Sequence, residues 1–410
     1  VGRGEVLKGT RAIFEYTDPN PFKELHIGHL MSNTIGEALS RLAEFAGAAT
    51  RRVCYQGDVG LQIAKAVWAM QHSPGLPNEN QMPYLGECYA RGSAAYEASA
   101  EAKAGIEALN KQIYDRSNPE VNKLYDWGKA ASLAAFAEIY ERLGTRFDHF
   151  YFESQTSGFG KQVVEDGLAN GVFERSDGAV VFRGEQYGLH TRVFINKHGL
   201  PTYEAKDLGL VKIKHDDYAY DLSVIVTAGE QTEYFKVVLK AMSLVFPDLA
   251  RATHHVGHGL LRLPTGKMSS RDGNVITAEN LLDEVEAAVR GVMSSRDLEV
   301  ESGMEKQIAS EVAVGAVKYS ILRQAIGRDV VFDVATSLSL EGDSGPYLQY
   351  AATRAAAVLA KAGTSASAQA IPDPNVTELE RLLLRFPQVA ARAWHDMAPQ
   401  QVVTYLTALA

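Results

Sequence analysis

The first pattern in the chain is an alternation. Residues 11–17, RAIFEYT, alternate apolar and polar side chains of β-forming type, which predicts a strand ending at the breakers DPNP. From Leu30 the period changes. Leu30, Met31, Ile35, Ala38, Leu39, Leu42 and Ala46 recur at helical spacing, and Gly47 is placed to stop that helix. TRRVCYQGDVG then predicts a second strand running into a glycine-bounded loop. Strand, loop, helix and strand make one βαβ unit, the start of a parallel sheet.

Between about His72 and Gly144 the chain turns rich in Ala, Glu, Lys and Tyr at helical spacing, a helical insertion introduced by SPGLPNENQMP. From Tyr151 to about Gly199 the pattern reads as β. GAVVFRG and TRVFINKHG are short alternating segments with turn residues, which predicts a small antiparallel module. LSVIVTAG, residues 222–229, is an unbroken apolar run, as in a strand covered on both faces. The helix TEYFKVVLKAMSLVF follows it. HHVGHGLLRL predicts one further strand opening into the loop PTGKMSSRDGN. From Leu281 onward the pattern is helical, apart from EGDSGP and the linker GTSASAQAIPDPN, and no internal repeat occurs. The expected fold is α/β, a parallel-sheet core interrupted twice and followed by an all-helical C-terminal part. Such cores bind ligands beyond the carboxyl ends of their strands.

Bulk properties narrow the picture only a little. At 410 residues the chain exceeds one ordinary core, so two or three domains are expected. Apolar and charged fractions of 46% and 22% are those of a globular protein, and no window is long and apolar enough to span a membrane. The opening residues VGRGEVLKGT contain no signal core. Two cysteines, Cys54 and Cys88, make neither a disulfide framework nor a zinc site, which suits a reducing cytosol. A formal charge of −9 argues against an indiscriminate nucleic-acid coat but permits a local basic groove.

The candidate chemistry lies in two short stretches. PNPFKELHIGHL places His26 and His29 where a strand gives way to an amphipathic helix. An imidazole there can bond a phosphate oxygen, and the helix N-terminus already favours an anion. Gly28 removes a side chain where a nucleotide would come close. The plainer alternative is that both histidines are capping or surface residues. Far along the chain, KMSS puts Lys267, Met268, Ser269 and Ser270 in a loop after a late strand. A lysine there can neutralise charge developing on a leaving pyrophosphate, with hydroxyl bonds from Ser269 and Ser270 and a second cation in Arg271. The alternative for KMSS alone is a solvated loop.

Together these stretches resemble the HIGH and KMSKS marks of class I aminoacyl-tRNA synthetases. EYTDPNPFKELHIGHL, YQGDVGLQIAK, FESQ, TYEAKDLGL, AGEQTEYFKVVLKAM, KMSSRDGNVI and SGPYLQYAATR resemble the arginyl branch. The fourth KMSKS position is Ser270 rather than lysine, a departure common in that branch, where Arg271 or Lys23 is thought to compensate. The resemblance implies a Rossmann-like (HUP-type) catalytic domain over 10–62, 129–152 and 201–280. It further implies a helical insertion at 63–128, a small β-rich insertion at 153–200, a helical linker contacting the tRNA stem at 281–345, and a partial anticodon-binding domain at 346–410.

What the resemblance implies for chemistry is ATP-dependent attachment of L-arginine to tRNA(Arg) through arginyl-adenylate. His26, His29 and Lys267 would be catalytic. Lys23, His26, Gly28, His29, Lys267, Met268, Ser269, Ser270 and Arg271 would hold ATP, with Mg2+ and no zinc or other metal. Glu15 and Asn20 would meet the α-amino and carboxylate end of arginine. Glu153 and Asp207 would face the guanidinium, with Tyr203 against it and Gln231 closing the pocket. Asp58 would shape the floor without chemistry. Tyr347, Gln349, Tyr350 and Arg354 would touch tRNA. Activation would require bound tRNA, and the enzyme would be a cytoplasmic monomer.

The residues also have plain structural readings. Glu153 could be a surface carboxylate, Tyr203 a core ring, Asp207 a helix cap, Asn20 a turn residue, Lys23 an exposed loop lysine, and the tRNA candidates helix-packing residues. Glu15, on a strand, would be buried and would need a cation. The rival functions are another class I synthetase, such as the cysteine enzyme with its cysteine-built zinc site; a small-molecule nucleotidyltransferase of the HIGH superfamily; and a non-catalytic synthetase-like protein that binds RNA or arginine. Against the arginyl family the chain reads as shortened at both ends.

Overall fold

The structure, a computed structural model, describes residues 2–264, 276–295, 303–363 and 377–410. Its first elements are β1 (Arg11–Glu15), α1 (Ile27–Phe45), β2 (Ala49–Gln56), α2 (Leu61–Gln71), α3 (Gln81–Ala98), α4 (Ala100–Asp115), α5 (Pro119–Arg142) and β3 (His149–Phe152). Then come α6 (Glu153–Ala169), β4 (Glu174–Ser176), β5 (Ala179–Phe182), β6 (Arg192–Ile195), α7 (Tyr203–Asp217), β7 (Leu222–Ala228), α8 (Thr232–Val245), α9 (Pro247–Ala252) and β8 (Thr253–His258). The last are β9 (Leu261–Arg262), α10 (Ala278–Ser295), α11 (Glu305–Leu322), β10 (Val330–Val331), α12 (Val334–Ser337), α13 (Gly345–Ala362), α14 (Glu378–His395) and α15 (Gln400–Leu409). Contacts divide them into two units, one of Arg11–Leu25 and Arg51–Val256, the other of Val1–Thr10, His26–Thr50 and Gly257–Ala410.

A five-stranded sheet of order β3-β2-β1-β7-β8 is the frame of the first unit. β1 runs parallel to β7, with Ala12 opposite Leu222 and Glu15 opposite Ile225, and β2 runs parallel to β3. The unbroken apolar run of β7 is explained by its position, since Val224, Ile225 and Val226 are all buried. One core gathers Ile13, Val53 and Tyr151 with Val164, Phe194 and Val238; a second joins Phe22 and Val59 to the faces of α2–α5. The small antiparallel module is present as β4-β5-β6.

Three local readings are corrected. β1 stops at Glu15 rather than Thr17, because Thr17 and Asp18 turn out of the strand with φ of 78° and 47°. The segment after Tyr151 is not all β. Residues Glu153–Ala169 form α6, although Gly158, Gly160 and Gly167 lower its helix propensity. A Cβ on Gly160 would lie 2.1 Å from the Ala205 carbonyl oxygen, so that glycine serves close packing of α6 on α7 rather than a turn. Finally, HHVGHGLLRL is two strands. β8 belongs to the large sheet, whereas β9 pairs in parallel with β10 in a stretch expected to be helical. Gly259 lies between them, and a Cβ there would meet the Arg328 carbonyl oxygen at 2.2 Å. A two-residue pairing across some seventy positions leaves no local periodicity to read.

In the second unit α1 packs with α10, α11 and α14. α13 lies close on α11 because Gly345 and Gly315 meet there, a Cβ on Gly345 falling 2.3 Å from the Gly315 carbonyl oxygen. Among the described residues no helix is long and apolar enough to cross a membrane.

Candidate active site

In the first unit the chain brings five carboxyls to the carboxyl end of β1 and the start of α7. Glu15, the last residue of β1, is buried, and the cation it requires is Lys214 of α7, with Nζ 2.5 Å from Oε2. Burial works against the charge of Lys214, but Glu15, with Tyr220 and Asp18 behind it, opposes burial, and together they hold the lysine pKa above its ordinary value. Glu153 is not a surface carboxylate. It is buried at the start of α6, with Lys206 Nζ 2.6 Å from its Oε2. Tyr203 is not a core ring; it is half exposed, with the Lys206 ammonium 5.0 Å from its ring centre. Arg192 donates to Glu204 at 3.1 Å and lies over the Tyr234 ring.

Asp207 sits within α7, one turn after Tyr203, and accepts the Tyr234 hydroxyl at 2.6 Å. Desolvation pushes its carboxyl up to about 8, with Glu15, Glu153 and Glu204 adding to the rise and Tyr234 opposing it. Asn20 and Glu153 meet over the backbone of Gly57, where a Cβ would fall 2.1 Å from Asn20 Oδ1 and 3.1 Å from Glu153 Oε1. Gln231 is exposed on the turn before α8 and makes no hydrogen bond with these groups. Asp58 is fully used by the fold, accepting from Tyr125, Lys129 and Ser154. Lys23 lies with Nζ 4.2 Å from the centre of the Tyr89 ring.

The histidines open α1 in the second unit, and they are caps. His26 Nδ1 accepts the Gly28 N–H at 3.0 Å, while His29 Nδ1 accepts the His26 N–H at 3.1 Å. The rings stack with centres 3.7 Å apart. A Cβ on Gly28 would fall 2.8 Å from the His26 ring, so glycine leaves that ring room in its capping position. Because each Nδ1 is an acceptor, each neutral ring carries its hydrogen on Nε2, the tautomer that can donate to an anion from that atom. Lys267, Met268, Ser269, Ser270 and Arg271 lie outside the described residues, but the described residues before and after them adjoin α1. Ile27 N–H donates to Ile276 carbonyl oxygen at 3.1 Å, His26 bridges Thr277, and β9 touches α1.

Of the residues put forward for RNA, Gln349 is a packing residue, its Nε2 donating to the Glu311 carbonyl oxygen. Tyr347 is half-buried; Tyr350 and Arg354 are exposed and paired, Nη1 donating to the phenol at 2.8 Å. Sequence reasoning missed Asp18, Lys206, Lys214, Tyr234 and Gly57. A signal for Lys214 existed. It follows Leu210 and Val211 at core spacing along α7, a lysine where an apolar residue belongs.

Comparison with known proteins places the chain in a family. The family described as tRNA synthetases class I (R), catalytic domain, matches residues 5–334, and the DALR anticodon binding domain matches residues 348–410. The arginine–tRNA ligase of Treponema pallidum subsp. pallidum is 31% identical over 425 residues, covering 100% of this chain and 72% of its own length. That of Amoebophilus asiaticus is 32% identical over 381 residues, covering 86% of this chain and 63% of its own. Among solved structures, Thermus thermophilus arginyl-tRNA synthetase matches with a TM-score of 0.79 at 24% identity, over 98% of this chain and 73% of that one. Mycobacterium tuberculosis methionyl-tRNA synthetase matches with 0.55 at 14% identity, over 97% and 81%. These likenesses in structure speak to the fold.

Proposed function

This chain belongs to the class I arginyl-tRNA synthetase family, and we propose that it attaches L-arginine to tRNA(Arg) by way of arginyl-adenylate. The arginine carboxylate attacks the α-phosphorus of ATP and pyrophosphate leaves. A ribose hydroxyl at the tRNA terminus then takes the arginyl group and AMP leaves. In this reading His26 and His29 donate from Nε2 to phosphate oxygens at the N-terminus of α1, with Gly28 giving room. Lys23, Lys267, Met268, Ser269, Ser270 and Arg271 complete the ATP contacts. ATP enters as its Mg2+ complex. The ion comes with the substrate, as Mg2+ commonly does on nucleotide phosphates.

Arginine is assigned to the carboxyl cluster. Asp207 and Glu153 take the guanidinium, Tyr203 and Gln231 flank it, and Asn20 with Glu15 serves the α-amino and carboxylate end. The observation that carries this reading is the concentration of acid beside Asp207, since a planar guanidinium demands carboxylates in a desolvated place. Tyr350 and Arg354, exposed on α13, are the RNA contacts proposed by stacking and phosphate pairing, with Tyr347 and Gln349 behind them. Buried free thiols at Cys54 and Cys88 suit the cytosol.

Pyrophosphate exchange over a panel of amino acids tests the assignment. Exchange is expected with arginine alone, and only when cognate tRNA is present; exchange with cysteine instead would remove it. A second outcome follows from Asp207. Its carboxyl, pushed up to about 8, must be ionised to hold a guanidinium, so arginine binding strengthens as pH rises. Below that value affinity should climb about tenfold per pH unit and then level off. Isothermal titration from pH 6 to 9 reads the slope, and Asp207→Asn should bind weakly at every pH with the slope gone.

A further inference from the structure

The helical insertion holds the turn that carries Lys23 at two adjacent residues. Phe22 is fully buried, and its N–H donates to Ser132 Oγ of α5 at 2.8 Å. Its ring seats where α5 has no side chain, since a Cβ on Gly128 would fall 2.2 Å from the ring's Cε1. Phe22 keeps a left-handed φ of 67°, a conformation that a bulky residue holds only when its surroundings impose it. Lys23 comes next, with its ammonium 4.2 Å from the centre of the Tyr89 ring on α3. α3 in turn is packed hard on α2, because a Cβ on Gly92 would fall 1.9 Å from the Lys65 carbonyl oxygen.

A ring and a carboxylate hold an ammonium with different consequences. Lys129 and Lys206 also lie over aromatic rings, but each is bonded to a buried carboxylate, Asp58 and Glu153 respectively. Their charge is cancelled within the protein. Among the described residues Lys23 forms no ion pair. The face of a ring attracts a cation through its quadrupole and carries no net charge. The Lys23 ammonium is therefore held in direction while its full charge stays available to an anion.

We propose, resting on the reading that gives Lys23 to ATP, that Tyr89 is a positioning residue whose ring face aims the Lys23 ammonium at the phosphates. A lysine on an unsupported turn would have to be ordered as the substrate arrives, at a cost in side-chain entropy. One already held by α3 stabilises developing charge without that reorganisation.

Pyrophosphate exchange with arginine and cognate tRNA, run on the full chain, tests the role of Tyr89. Tyr89→Leu keeps apolar bulk but removes the ring, and should lower kcat/KM for ATP about three- to tenfold, the scale of one cation–π contact. KM for arginine should not move. Tyr89→Phe keeps the face and should stay within about twofold of wild type. In a Lys23→Met chain the same Tyr89→Leu change should have no further effect, because a residue that acts through Lys23 has nothing left to aim. A merely structural Tyr89 would lose activity in both backgrounds. Should Tyr89→Leu misfold, Tyr89→Phe carrying one, two or three ring fluorines keeps the packing, and kcat/KM for ATP should fall stepwise as the face loses electron density. A flat fluorine series, a Tyr89→Leu loss that persists without Lys23, or a folded Tyr89→Leu chain that matches wild type overturns the proposal alone. Wild type without exchange overturns the arginine reading and the proposal with it.

Discussion

Replacing Lys214 with Met is expected to cost about 3–5 kcal/mol of stability, read as a large fall in the urea midpoint of equilibrium unfolding. The side chains of Lys214 and Glu15 are 1% and 5% exposed, and the ammonium also lies 3.5 Å from Ser223 Oγ. Water cannot take over when one partner is removed, so Glu15 is left as an uncompensated buried charge or must take up a proton. The double variant with Glu15→Gln should recover much of the loss, because two neutral side chains of similar volume avoid the unpaired charge. A loss within the roughly 0–1 kcal/mol typical of exposed pairs would show that solvent reaches the site.

His26→Ala should slow pyrophosphate exchange by roughly a hundredfold to a thousandfold, the scale for removing one donor to a developing oxyanion. It should cost only about 1 kcal/mol of stability, the usual worth of an N-cap. The cap and the proposed chemistry use different nitrogens, Nδ1 for the Gly28 N–H and Nε2 for phosphate. His26→Asn separates them. Its side-chain oxygen can still accept from Gly28 but offers no donor where Nε2 stood, so stability should return and the rate should not. Recovery of the rate with Asn would mean that His26 is a cap and nothing more.

Several features of this site were legible from residues alone because they are local. The strand at RAIFE and the helix opening at HIGH follow from short-range periodicity and breakers. The covered strand LSVIVTA declares itself by an apolar run with no polar face. His26 and His29 were readable because a cap is a contact between residues two and three positions apart. The helix α6 was misread because propensity penalises its glycines, whereas close packing on Ala205 requires one of them. β9 and β10 were missed because their pairing is long-range and short.

Sequence by itself determined the alternation of strands and helices, the position of the two histidines at a helix mouth, and the family. It also supplied the carboxylates at Glu15, Glu153 and Asp207 as a set suited to a cationic substrate. It could not say which of them were already matched. Lys214 reaches Glu15 across 199 positions and Lys206 reaches Glu153 across 53, and such distances carry no periodic trace. Only the folded chain decides that, since the cost of an unpaired buried carboxyl depends on which cation comes within about 3 Å of it. The tertiary structure therefore separated Glu15 and Glu153, acids that hold the protein together through buried lysines, from Asp207, which forms no ion pair among the described residues.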